Sequence, residues 1–175
     1  MSKITTVSYD KIPVKGLGDI WFAVGPRGLW RVDICGSELD FVEQLLRNDV
    51  IVESNRTATA SARRALTEYF TGKRRAFDLK IDWSRVDGFT RKALQVCARI
   101  PHGKTMSYGE IAARTGNPGA ARAVGSAMGK NPFPIIVPCH RVIKSDGSLG
   151  GFSGNLQHKC FLLRQEGINT EKMGA

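Results

Sequence analysis

The sequence has few of the residues that mark exported, membrane-spanning or metal-binding proteins. Its four cysteines are scattered without a C-x-x-C pair and three histidines accompany them, so neither a zinc ribbon nor a disulfide framework is indicated. No stretch approaches roughly 18 consecutive apolar residues, and the opening stretch MSKITTVSYD lacks the apolar centre of a signal peptide. We therefore expect a cytoplasmic protein, or a nuclear one in a eukaryote, without a metal or a membrane partner.

Acidic residues are also scarce. The chain has 16 of them against 26 lysines and arginines, which gives a net charge of +10 and a pI near 9.8. Such an excess favours a polyanionic partner through long-range attraction and counterion release. Nucleic acid is the first candidate, and a soluble basic protein without such a partner is the alternative. With 42% hydrophobic residues, 175 residues suffice for one large domain or two small ones.

The first half of the chain alternates strand and helix patterns. Residues 18–34 contain two β-rich runs joined by the turn GPRG, which predicts a hairpin. Apolar spacing predicts helices over 37–47 and 58–70, and the segment 77–83 is expected to form a strand that leads into a linker. These elements indicate a small α/β lobe over residues 1–84, in which no catalytic pattern is visible.

The second half begins with helical patterns. Residues 89–100 place Cys97 on an apolar stripe, so this thiol is expected in the core, and Cys160 is expected to be buried in the same way within 156–166. Between these helices, Ser107 and Glu110 form a capping box, and TGNPG separates that helix from a second one over 119–129. This arrangement predicts a helix-turn-helix.

The second helix has an unusual surface. Arg122 protrudes among small residues, which allow a backbone to approach a partner closely; these residues are Ala123, Gly125, Ser126 and Ala127. Ala121, Val124 and Met128 can face the core. Tight helix packing would explain the alanines but leaves Arg122 unexplained, so we interpret this surface as a DNA contact.

The stretch IIVPCHRVI at 135–143 sets a thiol, an imidazole and a guanidinium inside an apolar run, where such groups are costly to bury. Together with SYGEIAARTGNPGAARAVGSAM, NPFPIIVPCHRVI, GSLGGFSG and LLRQEG, it makes the chain resemble the O6-alkylguanine-DNA alkyltransferase family, also called methylated-DNA–protein-cysteine methyltransferases. The likeness covers most of residues 89–167 and extends weakly into the first lobe.

The resemblance implies an α+β fold. The expected parts are a ribonuclease H-like N-terminal α/β lobe with a small antiparallel sheet, over 1–84, and a mostly helical, winged-helix-like domain with the helix-turn-helix, over 85–175. It also implies a monomeric DNA-repair enzyme without a cofactor, a methylated-DNA–protein-cysteine S-methyltransferase that acts on double-stranded DNA. O6-alkylguanine is flipped out of the duplex, and its alkyl group moves irreversibly to Cys139, once per molecule. Action on O4-alkylthymine stays open.

Chemistry supports the assignment of Cys139. Displacement at an alkyl carbon needs a soft nucleophile, and an ordinary thiol with a pKa of about 8.5 is mostly protonated at neutral pH. His140 is the candidate base, but neighbours on an extended strand point to opposite faces, so a local turn or a bridging water is required. A structural, hydrogen-bonded imidazole is the alternative. The family uses a water relay with a glutamate behind the histidine, which corresponds to Glu166.

Further roles follow from the resemblance. Asn131 would brace the turn that holds the cysteine, and Tyr108 would press on the target phosphate and assist protonation of the departing guanine. Arg122 would fill the space of the flipped base, and Thr90 would hold a DNA phosphate. The base pocket would be built from Met128, Pro134, Phe152, backbone groups of Cys139 and Val142, and the Ser153 amide.

Three positions depart from the family pattern. Phe152 stands where a tyrosine is common, which puts substrate preference in question, while Asn155 replaces a glycine and Gln95 a tryptophan. Two other function classes compete. A helix-turn-helix protein that binds alkylated DNA or regulates transcription, without chemistry, would not need Cys139. A cysteine hydrolase would use Cys139 and His140 but explains neither Arg122 nor the charge.

Overall fold

The computed structural model describes residues 5–34, 36–152 and 155–174. The chain forms two compact units, Met1–Asp82 and Trp83–Ala175. Each unit has its own secondary structure and its own buried residues, and the two are described in turn.

The first unit is built on a four-stranded sheet in the order β3-β2-β1-β4, with β1 at Thr5–Val14, β2 at Gly18–Gly25, β3 at Gly28–Ile34 and β4 at Val50–Ser54. The predicted hairpin over 18–34 is confirmed as β2 and β3, which pair antiparallel. β1 also pairs antiparallel with β2, but β4 joins β1 in parallel. The expected antiparallel sheet is therefore mixed at one edge, because a helix connects β3 to β4 and returns the chain in the same direction as β1.

Two helices belong to this unit, α1 at Glu38–Leu46 and α2 at Ala60–Phe70. Both lie within the predicted ranges, and α1 is capped by Ser37, whose side chain accepts from the amide of Asp40. Trp21 and Phe41 stack with ring centroids 6.0 Å apart. They belong to an apolar cluster between the sheet and α1 whose other buried members are Val7, Ala23, Trp30 and Leu45.

The prediction of a strand over 77–83 is wrong. The backbone there makes a single bridge to β3, in which Leu29 N donates to Lys80 O at 2.7 Å and Asp82 N donates to Leu29 O at 3.0 Å. A short 3-10 turn, Trp83–Arg85, follows at once. Two hydrogen bonds do not continue a ladder, so the segment is a bridged linker.

The second unit is mostly helical. Its helices are α3 at Gly88–Cys97, α4 at Tyr108–Arg114, α5 at Ala121–Gly129 and α6 at Leu156–Gln165, and a two-stranded parallel sheet pairs β5, Met106–Ser107, with β6, Val142–Ile143. The helix-turn-helix is confirmed as α4 and α5. Ser107 Oγ accepts from Glu110 N at 3.2 Å and Glu110 Oε2 accepts from Ser107 N at 2.7 Å, so both halves of the predicted capping box are present.

Two predicted helix faces need correction. In α5, Val124 and Met128 are buried as predicted, whereas Ala121 is only partly buried. Ala127 is buried with them and does not flank the exposed Arg122. In α6, Cys160 is only partly buried. The buried stripe of α6 consists of Lys159, Leu162 and Leu163 and continues into its C-cap, Glu166, because residues three and four apart share one face of a helix.

The positive charge is concentrated in the second unit. Residues 83–175 carry thirteen lysines and arginines against five acidic residues, a net charge of +8, whereas residues 1–82 carry thirteen against eleven, a net charge of +2. The helix-turn-helix therefore lies in the more basic half. None of the helices within the described ranges is long and apolar enough to cross a membrane.

Candidate active site

The Pro-Cys-His-Arg stretch forms a buried 3-10 turn, Cys139–Arg141. Cys139 N donates to Val137 O at 2.8 Å and Arg141 N donates to Pro138 O at 2.9 Å. With three residues per turn, successive side chains are separated by roughly 120° and do not point to opposite faces. The local turn that the sequence requires between Cys139 and His140 is therefore present.

Asn131 braces the chain in front of this turn. Its Nδ2 donates to Val137 O at 2.8 Å, and its Oδ1 accepts from Phe133 N at 2.9 Å. Between these contacts Ile135 has a φ of 74°, a conformation that is rare for a β-branched residue. Such a conformation persists only where its surroundings hold it, which is what the buried Asn131 amide does.

A single carboxylate joins the other polar groups behind the turn. Glu166 Oε1 lies 2.8 Å from His140 Nε2, and both carboxylate oxygens accept from Arg141, Oε2 from Nε at 2.9 Å and Oε1 from Nη2 at 2.8 Å. Gly103 N donates to Oε2 at 3.1 Å. Since an ionised carboxylate only accepts, His140 Nε2 carries the proton, and Nδ1 of the neutral ring is the free acceptor.

Burial sets the protonation states of these groups. It raises the pKa of the Cys139 thiol, an effect opposed by a hydrogen bond from Asn131 and by the charge of Lys159. It lowers the pKa of His140, although the hydrogen bond and charge of Glu166 oppose that shift. At neutral pH the resting site therefore holds a protonated thiol beside a neutral imidazole, and the thiol needs a base before it can react.

Cys139 is on the wall of a cavity of 710 Å³. Of the residues singled out from the sequence, the cavity also brings together Tyr108, Arg122, Gly125, Met128 and Phe152. A cavity of this volume suits a small organic group such as a flat heterocyclic base.

The remaining predicted residues lie elsewhere. Asn131, Pro134, His140, Val142 and Glu166 are buried and do not line this cavity in the part of the chain that is described. Ala123 and Ser126 are exposed on α5, and Thr90 lies in the first turn of α3. Ser153 is outside the described residues.

Tyr108 is held across the cavity by a glycine-rich segment. Its hydroxyl donates to Gly151 O at 3.1 Å, and burial raises the pKa of this hydroxyl. Gly150 has a φ of 67°, and a Cβ there would lie 2.9 Å from Tyr108 Cε2. Gly150 is therefore required both by its conformation and by the close approach of the ring.

Three residues of the site were given no role in the sequence analysis. Arg141 pairs with Glu166, Lys144 lines the cavity, and Lys159 is fully buried on α6. For Lys159 a signal existed, because it lies three and four residues before Leu162 and Leu163 on one helix face. Within the described ranges, no three His, Cys, Asp or Glu side chains lie close enough together to hold a metal ion.

Comparison with known proteins matches both units. Residues 13–83 match the family model for the 6-O-methylguanine DNA methyltransferase, ribonuclease-like domain, and residues 88–168 match the model for the 6-O-methylguanine DNA methyltransferase, DNA binding domain. A methylated-DNA–protein-cysteine methyltransferase of Methanosarcina barkeri is 39% identical over 163 residues, which cover 92% of this chain and 98% of the relative. That of Salmonella typhimurium is 38% identical over 155 residues, 86% and 91% of the two chains.

Solved structures agree with this match. The Mycobacterium tuberculosis O6-methylguanine methyltransferase is 36% identical with a TM-score of 0.77, covering 91% of this chain and 92% of that one. A structure of Mycobacterium tuberculosis OGT in complex with DNA has the same TM-score at 35% identity and covers 92% of each chain.

The Tyr108 contact predicts the effect of a methyl group at Gly150. Gly150→Ala is expected to lower the free energy of unfolding by about 2–4 kcal/mol, because the added Cβ meets Tyr108 in addition to the strain of a positive φ. Gly147→Ala is the matched control, since Gly147 has a φ of 84° and a Cβ added there would have no other atom within 4 Å. In urea unfolding, Gly147→Ala should lower the free energy of unfolding by only about 1–2 kcal/mol, which is the cost of the positive φ alone. Equal losses in the two variants would contradict the close approach.

The carboxylate network predicts a large effect of one isosteric change. Glu166→Gln is expected to lower the free energy of unfolding by about 3–5 kcal/mol, because it leaves the buried Arg141 guanidinium without a counter-charge. Glu171→Gln, an exposed change in the same unit, should stay within about 0.5 kcal/mol. Urea unfolding of both variants checks this, and a loss below about 1 kcal/mol for Glu166→Gln would show that the network is not a stabilising centre.

Proposed function

This chain belongs to the 6-O-methylguanine DNA methyltransferase family, and we propose that it repairs DNA by direct reversal of guanine alkylation. An O6-alkylguanine is flipped out of double-stranded DNA into the 710 Å³ cavity, and its alkyl group is transferred irreversibly to Cys139. The observation that carries the proposal is the thiol on the cavity wall, followed directly by the buried His140 that is hydrogen-bonded to Glu166.

The transfer is a displacement at the alkyl carbon. A bond forms between Cys139 Sγ and that carbon, the bond between the carbon and guanine O6 breaks, and its electron pair leaves with the guanine. The thiol proton passes through a bridging water to His140 Nδ1, whose ring is held by Glu166. The departing guanine takes a proton from the Tyr108 hydroxyl, which recovers one from solvent as His140 releases its own. The thioether product has no hydrolytic exit, so each molecule acts once.

The flipped base is held by apolar walls and backbone groups. Met128 and Phe152 line the cavity, and Pro134 is buried outside its lining. We assign the backbone carbonyls of Cys139 and Val142 as acceptors from the guanine amine. The Ser153 amide completes the set as the donor to O6. Because Phe152 has no hydroxyl, its part of the wall offers the bound base an apolar surface only.

The helix-turn-helix presents the DNA-binding side. Arg122 is exposed at the cavity on α5, where it enters the base stack and occupies the space that the flipped nucleotide leaves. Ala123, Gly125 and Ser126 let the helix approach the groove, and Thr90 in the first turn of α3 holds a phosphate. The net charge of +8 on residues 83–175 attracts the duplex. The protein acts as a monomer and needs no cofactor.

The identity of the nucleophile is tested by weighing the intact protein after incubation with DNA that contains O6-methylguanine. The unchanged protein should gain one methyl group per molecule, and Cys139→Ser should gain none while it keeps DNA affinity, because a serine hydroxyl is not ionised at neutral pH. Cys160→Ser, which removes a partly buried thiol of the same unit, should react normally. Methylation of Cys139→Ser at the normal rate would contradict the mechanism. No mass gain in the unchanged protein would indicate a binding module.

The same assay with DNA that contains O4-methylthymine decides whether this base is a second substrate.

The role of Arg122 is tested with two substrates. Arg122→Ala should slow repair of duplex DNA by about ten- to a hundredfold, since unstacking a base costs a few kcal/mol, and leave reaction with free O6-methylguanine base nearly unchanged. Single-turnover rates measure both. Arg99→Ala, also an exposed arginine of the second unit, serves as the control for lost charge. Equal losses on the two substrates would mean that Arg122 supports the fold.

A further inference from the structure

Lys159 is a fully buried lysine at the back of the active site. Its Nζ donates to Val142 O at 2.6 Å, to Gly151 O at 3.3 Å and to Leu149 O. An ammonium has three donors, so all of them are used. No carboxylate lies within ion-pair distance of Nζ in the described part of the chain. The hydrogen bonds are satisfied, but the charge is not paired with an acidic side chain.

A buried charge without a counter-charge is costly, and a neutral donor could hold three carbonyls at lower cost. The titratable groups that interact electrostatically with Lys159 are three thiols and one imidazole. The thiols are Cys139 in the 3-10 turn, Cys97 on α3 and Cys160 on α6 itself, and the imidazole is that of His140. Burial raises the pKa of Cys97 well above its usual value, so this thiol stays neutral. Cys139 is the thiol on the cavity wall and the one whose chemistry requires an anion.

We propose that Lys159 is a positioning residue that stabilises the Cys139 thiolate by its charge and holds the cavity wall by its hydrogen bonds. The inference rests on the proposed function, because it assigns a role within the same site. The two tasks are linked by geometry. The three carbonyls belong to β6, which lies directly after Cys139–Arg141, and to the glycine-rich segment 149–151, whose Gly151 O also accepts from Tyr108.

The contribution of Lys159 has a defined pH range. Burial lowers the pKa of Lys159 to about 8. The ammonium is charged below that value and neutral above it, so its support of the thiolate is present at lower pH and disappears as the pH rises through about 8. A purely structural lysine would not give a pH-dependent effect of this kind on the thiol.

The test measures the reactivity of the thiol with iodoacetamide, in which a bond forms between Cys139 Sγ and carbon and iodide leaves. Labelling of the Cys139 peptide is followed between pH 6 and 10 for the unchanged protein, Lys159→Gln and Lys172→Gln, an exposed lysine of the same unit that removes the same charge. Lys159→Gln should react about tenfold more slowly at pH 7, as expected for about one unit in thiol pKa, with the gap closing above pH 9. Lys172→Gln should match the unchanged protein. A gap of constant size, or none, would overturn the inference.

A second measurement covers the case in which Lys159→Gln does not fold. Lys159→Met, which places an apolar side chain of similar length at the buried site, is labelled in the same way. Its Cys139 should also react about tenfold more slowly than that of the unchanged protein at pH 7, because the charge that favours the anion is lost, and an equal rate would overturn the inference.

Neither measurement depends on DNA or on methyl transfer. If the unchanged protein takes no methyl group from DNA but both results are as expected, the proposed function fails and the coupling of Lys159 to Cys139 stands. If methyl transfer occurs and the labelling rates of the unchanged protein and Lys159→Gln run parallel at every pH, the inference alone fails.

Discussion

The buried carboxylate of Glu166 is the interaction on which the active site depends. It ends α6, and it binds the imidazole and the guanidinium of two consecutive residues in the turn that carries Cys139, as well as the amide of Gly103. Each contact alone would be costly to bury, but together they satisfy both carboxylate oxygens and the charge of Arg141. The turn is thus fixed from behind, which leaves the thiol side free to face the cavity. The tautomer of His140 follows from the same carboxylate.

The buried charges of the site differ in whether they are paired with an opposite charge. Burial keeps His140 an imidazole at neutral pH, where it can accept a proton, and Arg141 offsets part of the opposing effect of Glu166. Lys159 has no such compensation and lies where a thiolate would supply it. A resting thiol that becomes an anion only for transfer is protected from unspecific alkylation or oxidation, because burial keeps it protonated until a base acts. Since the protein is consumed by one reaction, that protection preserves its single use.

Local signals in the sequence were sufficient for part of this structure. The capping box of Ser107 and Glu110 and the break at TGNPG predict the helix-turn-helix, since both depend on hydrogen bonds within a few residues. The strand expected over 77–83 is absent, and the parallel edge strand β4 was not foreseen, because strand pairing depends on distant parts of the chain. Likewise, helical spacing placed Cys160 in the core, whereas the buried face passes through Lys159. The spacing of Lys159 to Leu162 and Leu163 indicates this face, but the sequence does not show the three carbonyls that satisfy the buried ammonium.

The sequence by itself determined the chemical groups and the family, because Pro-Cys-His-Arg, Asn131 and Glu166 occur in a recognisable order with their spacing intact. It also determined the excess of positive charge and the exposed arginine between small residues on α5. Only the tertiary structure decided how these groups meet. It brought residue 166 against residues 140 and 141, turned Cys139 toward a cavity that Tyr108 and Gly151 also line, and buried Lys159. The physical reason is that burial and pairing, which set the protonation of each group, arise from contacts between segments far apart in the chain.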